Sequence, residues 1–501
     1  MQEATIRELG EKMASGEETS RSLAEAFLRR IESVDRSGPA INTVIELNPD
    51  ALSIADKRDR ERGDGKVRGP LHGVPVLIKD NIDTRDRMQT TAGSLALEGS
   101  HARRDAFIVK RLRAAGAVLL GKTNLSEWAN FRGEHSVSGW SSRGGLTRNP
   151  YALDRTACGS SSGSAAAVAA NLCAASIGTE TDGSIICPAH TCGVVGLKPT
   201  LGLLSRSGII PIAHSQDTAG PFGRAVEDVA ILLGALAGVD ERDKTTLLKR
   251  RRAHRDYTTF LDEEGISGVR IGVPRNLLDT NERLLSILET SLDVLKQLGA
   301  EIIDPADLPN YDAFHEAELE VLLYEFKHGL NAYLGTLGPR AKVHSVDELI
   351  KFNEENKERV MPFFGQELLL AAQEKGSLSS PEYRKALSTC RRLTRKEGID
   401  AVINSKRLDA MVSLSGLPAS LIDLANGDPD RWELGCIGPT AVAGYPHLTV
   451  PGGYLFGLPI GISFFSKAWR EPTLLRIGYA FEQALKARKP PQFQPTVEFE
   501  V

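Results

Sequence analysis

Leu23, Phe27 and Ile31 recur at four-residue intervals behind a Ser22-x-x-Glu25 start signal, the apolar stripe of an amphipathic helix. After the turn-rich stretch RERGDGKVRGP the period changes. GVPVLIKDN is a short unbroken apolar run with β-branched residues, which predicts a buried strand ending in polar residues. DAFIVKRLRAAG returns to helical spacing and closes on glycine, and AVLLGKTN is a second buried run. Strand, helix and strand at this spacing predict a βαβ unit, hence an α/β sheet covered by helices.

SAAAVAANLCAAS predicts a small-residue helix after a serine cluster, with Ser176 packed at its end. GVVGLKPTLGLLSRSGIIPI mixes short apolar runs with glycine and proline, so strands and turns are expected there. Residues 238–265 turn charged, after which VRIGVP and AEIIDP flank a helical stretch, a second β-α-β pattern. Residues 312–404 predict a mostly helical, charged insertion or cap. DAMVSLSG, HLTVPGGY and PIGISFF then return as strands, and EPTLLRIGYAFEQALKAR closes the chain as an amphipathic helix. With no repeat or low-complexity linker, one elaborated domain over 1–501 is expected, its core motifs at about 70–235.

Composition narrows the class. The 501 residues are 41% hydrophobic and 25% charged with a formal net charge of −4, as in an ordinary globular protein. The basic run LLKRRRAHR, Leu247 to Arg255, lacks interleaved aromatics and reads as a solvated face, so no nucleic-acid partner is expected. No apolar stretch approaches the roughly 18 residues that span a bilayer, and MQEATIRELGEKM has no basic-then-apolar leader. No membrane association and a cytoplasmic location are the expectations. Six cysteines without a C-x-x-C pair suggest reduced thiols. Cys187, His190 and Cys192 lie close together, but no second ligand pair completes a tetrahedron, so no metal is expected.

The candidate chemistry lies in TACGSSSGSAAAVAANLCAASIGTETDGSIICPA, Thr156 to Ala189. Gly159-Ser160-Ser161-Ser162-Gly163 satisfies G-x-S-x-G, but a nucleophile elbow needs a strand before it and NPYALDRTAC is turn-like. The same serines could instead cap a helix. Ser184 follows TETDG, where Gly183 permits backbone turns that aim successive N–H groups at an oxyanion. Lys79 ends an apolar run, and burial disfavours its charged form, leaving an amine able to accept a proton. Alternation along the strand turns Asp80 away from it.

LHGVPVLIKDN, GKTNLSEWANF, CGSSSGSAAAVAA, GTETDGSIICPA and CGVVGLKPTLGLLSRSGIIP occur in the order found in the amidase signature family, and the resemblance extends to AVAGYPHLTVPGGYLFGLPIGISFF. It implies an α/β/α fold, a central mixed twisted sheet covered by helices on both faces. It further implies a Ser–cis-Ser–Lys triad, with Ser184 as nucleophile, Ser160 as the bridging serine on a cis peptide and Lys79 as base. The oxyanion donors fall on the backbone N–H groups of Thr181, Asp182, Gly183 and Ser184. No cofactor is implied. Asn124 to Phe131, the loop around Trp140 and the helical region from Leu319 to Phe364 are expected to border the substrate cleft.

Many family members read GGSIR where this chain reads DGSII. Asp182 replaces a glycine and Ile186 an arginine suited to anionic substrates. The surrounding motifs resemble bacterial peptide amidases most, which implies a peptide or small-molecule amide substrate and no obligate protein partner. Aryl or alkyl amides are compatible too. The alternatives are the glutaminase subunit of a glutamine-dependent tRNA amidotransferase, which needs a protein partner, and a non-catalytic scaffold.

Overall fold

Short apolar runs supply the strands: Val44–Leu47 (β1), Pro75–Lys79 (β2), Val118–Thr123 (β3), Trp140–Ser141 (β4), Gly145–Leu146 (β5), Ala175–Glu180 (β6), Val195–Lys198 (β7), Thr218–Gly223 (β8), Arg270–Gly272 (β9), Glu301–Ile303 (β10), Ala410–Leu414 (β11), His447–Leu455 (β12) and Leu458–Phe465 (β13). The computed structural model describes residues 3–247, 252–278, 281–429 and 435–497. Four residues of the basic run, 248–251, therefore lie outside the described residues. Eleven strands form one mixed sheet in the order β1-β3-β2-β6-β8-β7-β12-β13-β11-β9-β10, while β4 and β5 make a separate ribbon.

The first βαβ unit is Pro75–Lys79, the helix Phe107–Ala114 and Val118–Thr123, with its strands adjacent and parallel. The second is Arg270–Gly272, the helix Glu282–Gln297 and Glu301–Ile303, again parallel. All side chains of β2, β3 and β6 are buried, as in strands covered on both faces. Helices flank the sheet: Val226–Leu236 packs on β8, Glu471–Leu485 on β12 and β13, and Ser162–Ala169 on β2, β3, β6 and β8. No helix among the described residues is long and apolar enough to cross a membrane.

Several boundaries depart from the sequence pattern. The helix holding Leu23 and Phe27 spans Ser20–Arg30 and is capped by Thr19, whose hydroxyl accepts from the Ser22 N–H while Ser22 Oγ accepts from the Thr19 N–H. The pair Ser22 and Glu25 is therefore one turn too late to be the cap. The small-residue helix stops at Ala169 because Asn171 takes a left-handed conformation (φ 58°), and Ser176 lies in β6, donating to the Ser164 carbonyl. β6 and β8 are central strands without an apolar run, built from ASIGTE and TAGPFG.

Between β10 and β11 the chain is mostly helical, with His315–Leu334, Val346–Glu355, Glu367–Gln373 and Pro381–Arg391 as its main helices. Leu323, Phe326, Leu330 and Leu334 of the first pack with Trp128, Phe131 and Ile212 into a second apolar cluster beside the main core. That contact seats the helical region over the loop leaving β3 and the loop that leads from β7 into β8.

Candidate active site

Lys79 ends β2 with its amine directed beneath the serine cluster. Its Nζ lies 2.7 Å from Ser160 Oγ, 3.1 Å from Ser161 Oγ and 2.9 Å from Thr179 Oγ1 on the neighbouring strand β6. Asn81 Nδ2 donates to the same threonine hydroxyl at 3.0 Å. The peptide Gly159–Ser160 is cis. Strand alternation sends Asp80 to the other side, where its carboxylate accepts from Thr91 and the Gly93 N–H.

Ser161 is enclosed. Its hydroxyl donates to the Thr179 carbonyl at 2.9 Å and accepts from the Thr179 N–H, so it stitches the helix start to β6. Gly178 makes that approach possible, because a Cβ there would stand 2.6 Å from both Ser161 Oγ and the Phe222 ring. The segment before the cluster holds no long strand, so the elbow reading of Ser161 lacks its scaffold.

β6 ends at Glu180, and the chain turns through Gly183 at φ 77° before the short helix Ile186–Thr191. The buried Glu180 carboxylate accepts from the Ile185 N–H at 2.7 Å and the Ile186 N–H at 3.1 Å, and the Gly183 amide also faces it. The N–H groups of Thr181, Asp182 and Ser184 have no acceptor among the described residues. Ser184 accepts at its carbonyl from the Ser161 N–H at 3.3 Å, which places the two serine segments side by side.

Ser160 and Ser184 line one cavity of about 110 Å³ with Thr181, Asp182 and Ser138, closed by Ala129, Asn130 and Phe131, by Ile212 of the loop before β8 and by Leu322 of the helical region. Ser184 is 7% exposed whereas Lys79 and Ser160 are at 0%, so Ser184 is the reachable member of the three. A neighbouring cavity of about 220 Å³ shares Ala129, Thr181 and Ile212 and runs toward Arg206 and Asp217.

Burial holds the Lys79 amine well below the ordinary lysine range, against the opposing pull of Glu180 and Asp217. Burial likewise raises Glu180, which Lys198 and the loop N–H groups partly counter, and pushes Asp217 up to about 6. The Asp182 carboxyl is pushed well above its usual range by burial and by the neighbouring Glu318 and Glu180. The result is an amine whose charged form burial disfavours, behind a hydroxyl and next to a second hydroxyl facing an enclosed space. Such a set can relay a proton from a nucleophile to a base.

The cysteine expectation is corrected. Cys158 and Cys187 form a disulfide, Cys173, Cys192 and Cys390 are free and buried, and the buried Cys436 thiol donates to the Leu414 carbonyl. The pairing also removes the thiol-based argument for a reducing compartment. His190 is held between the Gly461 N–H and the Leu417 carbonyl, and burial lowers it to about 4. The cluster of Cys187, His190 and Cys192 is thus engaged in a crosslink and in backbone bonds. Trp140 stands off the cavity, packed on Phe363, Phe364 and Arg132, while Asn124 braces the loop through Gly139, Gly145 and Thr147. Thr179 and Glu180, which hold the Lys79 amine and the Ser184 loop, carry no signal in the sequence because they sit in a strand with no apolar run.

The model of the Amidase family matches residues 22–475. The chain belongs to that family, and it is an amide-hydrolysing enzyme. Its structure is similar to native peptide amidase from Stenotrophomonas maltophilia, with a TM-score of 0.94 and 51% identity covering 98% of this chain and 99% of that one. A probable amidase from Arabidopsis thaliana is 41% identical over 98% of this chain and 92% of its own length. A glutamyl-tRNA(Gln) amidotransferase subunit from Halorhodospira halophila is 37% identical over 96% of this chain and 97% of its own.

Proposed function

We propose that the chain hydrolyses the C-terminal carboxamide of peptides by itself, with Ser184 as nucleophile, Ser160 as proton relay and Lys79 as base. The observation that carries this reading is the contact of a deeply buried Lys79 amine, its charge disfavoured by burial, with Ser160, beside Ser184 on the cavity wall. Ser184 Oγ bonds to the amide carbon while its proton moves to Ser160, whose own proton moves to Lys79. The N–H groups of Thr181, Asp182 and Ser184 stabilise the oxyanion. Gly183 completes the set only by turning its amide from Glu180. The relay then returns the proton to the departing ammonia, and water, activated the same way, releases the acyl group as a carboxylic acid.

Two observations favour a neutral peptide amide. The similar Stenotrophomonas protein is named a peptide amidase, and Ile186, fully buried, stands where an arginine would serve an anionic substrate. The test is ammonia or amine release by the purified chain from a peptide C-terminal amide, an acyl anilide and glutamine. Peptide amide turnover above the other two supports the reading. Preference for glutamine would favour the amidotransferase reading, preference for the anilide an aryl-amide enzyme, and silence on all three would sink it.

A further inference from the structure

Ser160 and Ser184 come from different segments, and a proton passes between their hydroxyls only if the two segments keep register. Misplacement of about 1 Å can cost on the order of 10²-fold in rate. The direct backbone tie between them, from the Ser161 N–H to the Ser184 carbonyl, is 3.3 Å long, at the weak end of the range. A covalent tie lies on the same path. Cys158 stands two residues before Ser160 and Cys187 three residues after Ser184, and their disulfide holds the two Cα atoms 5.9 Å apart across a sequence separation of 29.

We propose that the Cys158–Cys187 disulfide is a positioning element of the hydrolytic site, clamping the Ser160 turn to the Ser184 loop so that the oxidised chain is the active form. The proposal rests on the serine roles given above. Neither cysteine lines the cavity, so both act through the serines and not on substrate. The surroundings fit a clamp. On the Ser160 side, the Cys158 carbonyl accepts from Ser162 Oγ and its N–H donates to Thr156. On the Ser184 side, Cys187 lies in the first turn of Ile186–Thr191, and its N–H donates to the Gly183 carbonyl. The sulfurs therefore join the helix start carrying one serine to the turn carrying the other. A dithiol reductant would break the S–S bond, leaving two thiols on the chain and becoming a cyclic disulfide itself. Both cysteines are almost fully enclosed, which makes that reduction slow in the folded chain.

The first readout is thiol count by alkylation and intact mass in denaturant. Four thiols without reductant and six after it are expected, and six without reductant would overturn the proposal. The second is the Cys158→Ser/Cys187→Ser double variant, assayed for kcat, for KM and for the rate at which a sulfonyl fluoride modifies Ser184. The expected result is a tenfold or greater loss in kcat and in sulfonylation rate, with KM within threefold and an unchanged circular dichroism spectrum. Should the variant fail to fold, wild-type chain reduced with dithiothreitol and reoxidised with glutathione disulfide provides the same comparison, with loss and recovery expected. A double variant or reduced chain as fast as the oxidised wild type overturns the clamp alone. Oxidised wild type that neither turns over an amide nor reacts at Ser184 removes the serine reading, and the clamp with it.

Discussion

The Lys79 amine lies 2.7 Å from the Ser160 hydroxyl, with both side chains fully enclosed. An ammonium there would have only hydroxyls and one carbonyl as near partners, and burial opposes its charge. Lys79→Met is expected to lower kcat about 10²–10⁴-fold by removing the proton acceptor, while leaving the melting temperature unchanged or higher. In the wild type, kcat/KM should hold where the amine is neutral and fall as pH drops through its depressed pKa. A variant with wild-type rate, or no acid limb in the profile, would exclude Lys79 as the base.

Gly178→Ala places a methyl 2.6 Å from Ser161 Oγ and from the Phe222 ring. Overpacking of this kind costs about 1–3 kcal/mol. Because Ser161 in turn contacts Lys79, the variant should lose activity as well as stability, measured by urea unfolding alongside turnover. Wild-type stability would show that the strand and helix can separate freely.

Asp83 is half-buried with its carboxylate accepting from Tyr333 of the helical region at 2.9 Å, and desolvation raises it to about 6 from an ordinary 3.8. A carboxyl raised on folding favours the native state while protonated. That contribution is full below about pH 4 and is lost as pH climbs through about 6, roughly 3 kcal/mol for about two units. Asp83→Asn removes this dependence. The difference in unfolding free energy between wild type and variant should therefore shift toward the variant between pH 4 and 7, and parallel pH curves would contradict it.

Arg132 joins the core to the helical region through Glu127 Oε1 at 3.1 Å, the Phe364 carbonyl at 3.1 Å and the Gly365 carbonyl at 3.2 Å, with its guanidinium over the Phe364 ring. Both charges of the pair are at 0% side-chain exposure. Arg132→Met strands the Glu127 carboxylate, a loss of about 3–5 kcal/mol. Adding Glu127→Gln should recover part of it in a thermal melt. An additive double variant would mean that the pair is not coupled.

Much of this architecture was legible because β2 and β3 carry unbroken apolar runs and the helices between them keep a clean period. β6 and β8 were not, since their small residues answer to the close packing of the serine helix and Pro221 breaks the pattern in β8. Lys79 and Ser184 stood out by type and setting, Ser160 only through the family resemblance, and the fold gathers the three. Thr179 and Glu180 are read only from three dimensions, because their partners are the Lys79 amine and the N–H groups of the Ser184 loop. The disulfide was equally silent, its cysteines being separated by 29 residues with no paired spacing. The Thr19 cap is hidden in the sequence because serine at its third position takes the role usually given to glutamate.

In the proposed reaction one serine among several forms the covalent bond. The most direct measurement is peptide mapping of the adduct left by a serine-directed sulfonyl fluoride, with and without a competing peptide amide, in wild type and in Ser184→Ala. A single adduct on Ser184 is expected, slowed by the competing amide and absent from the variant. An adduct on Ser160 or Ser161, or undiminished labelling of Ser184→Ala, would contradict it.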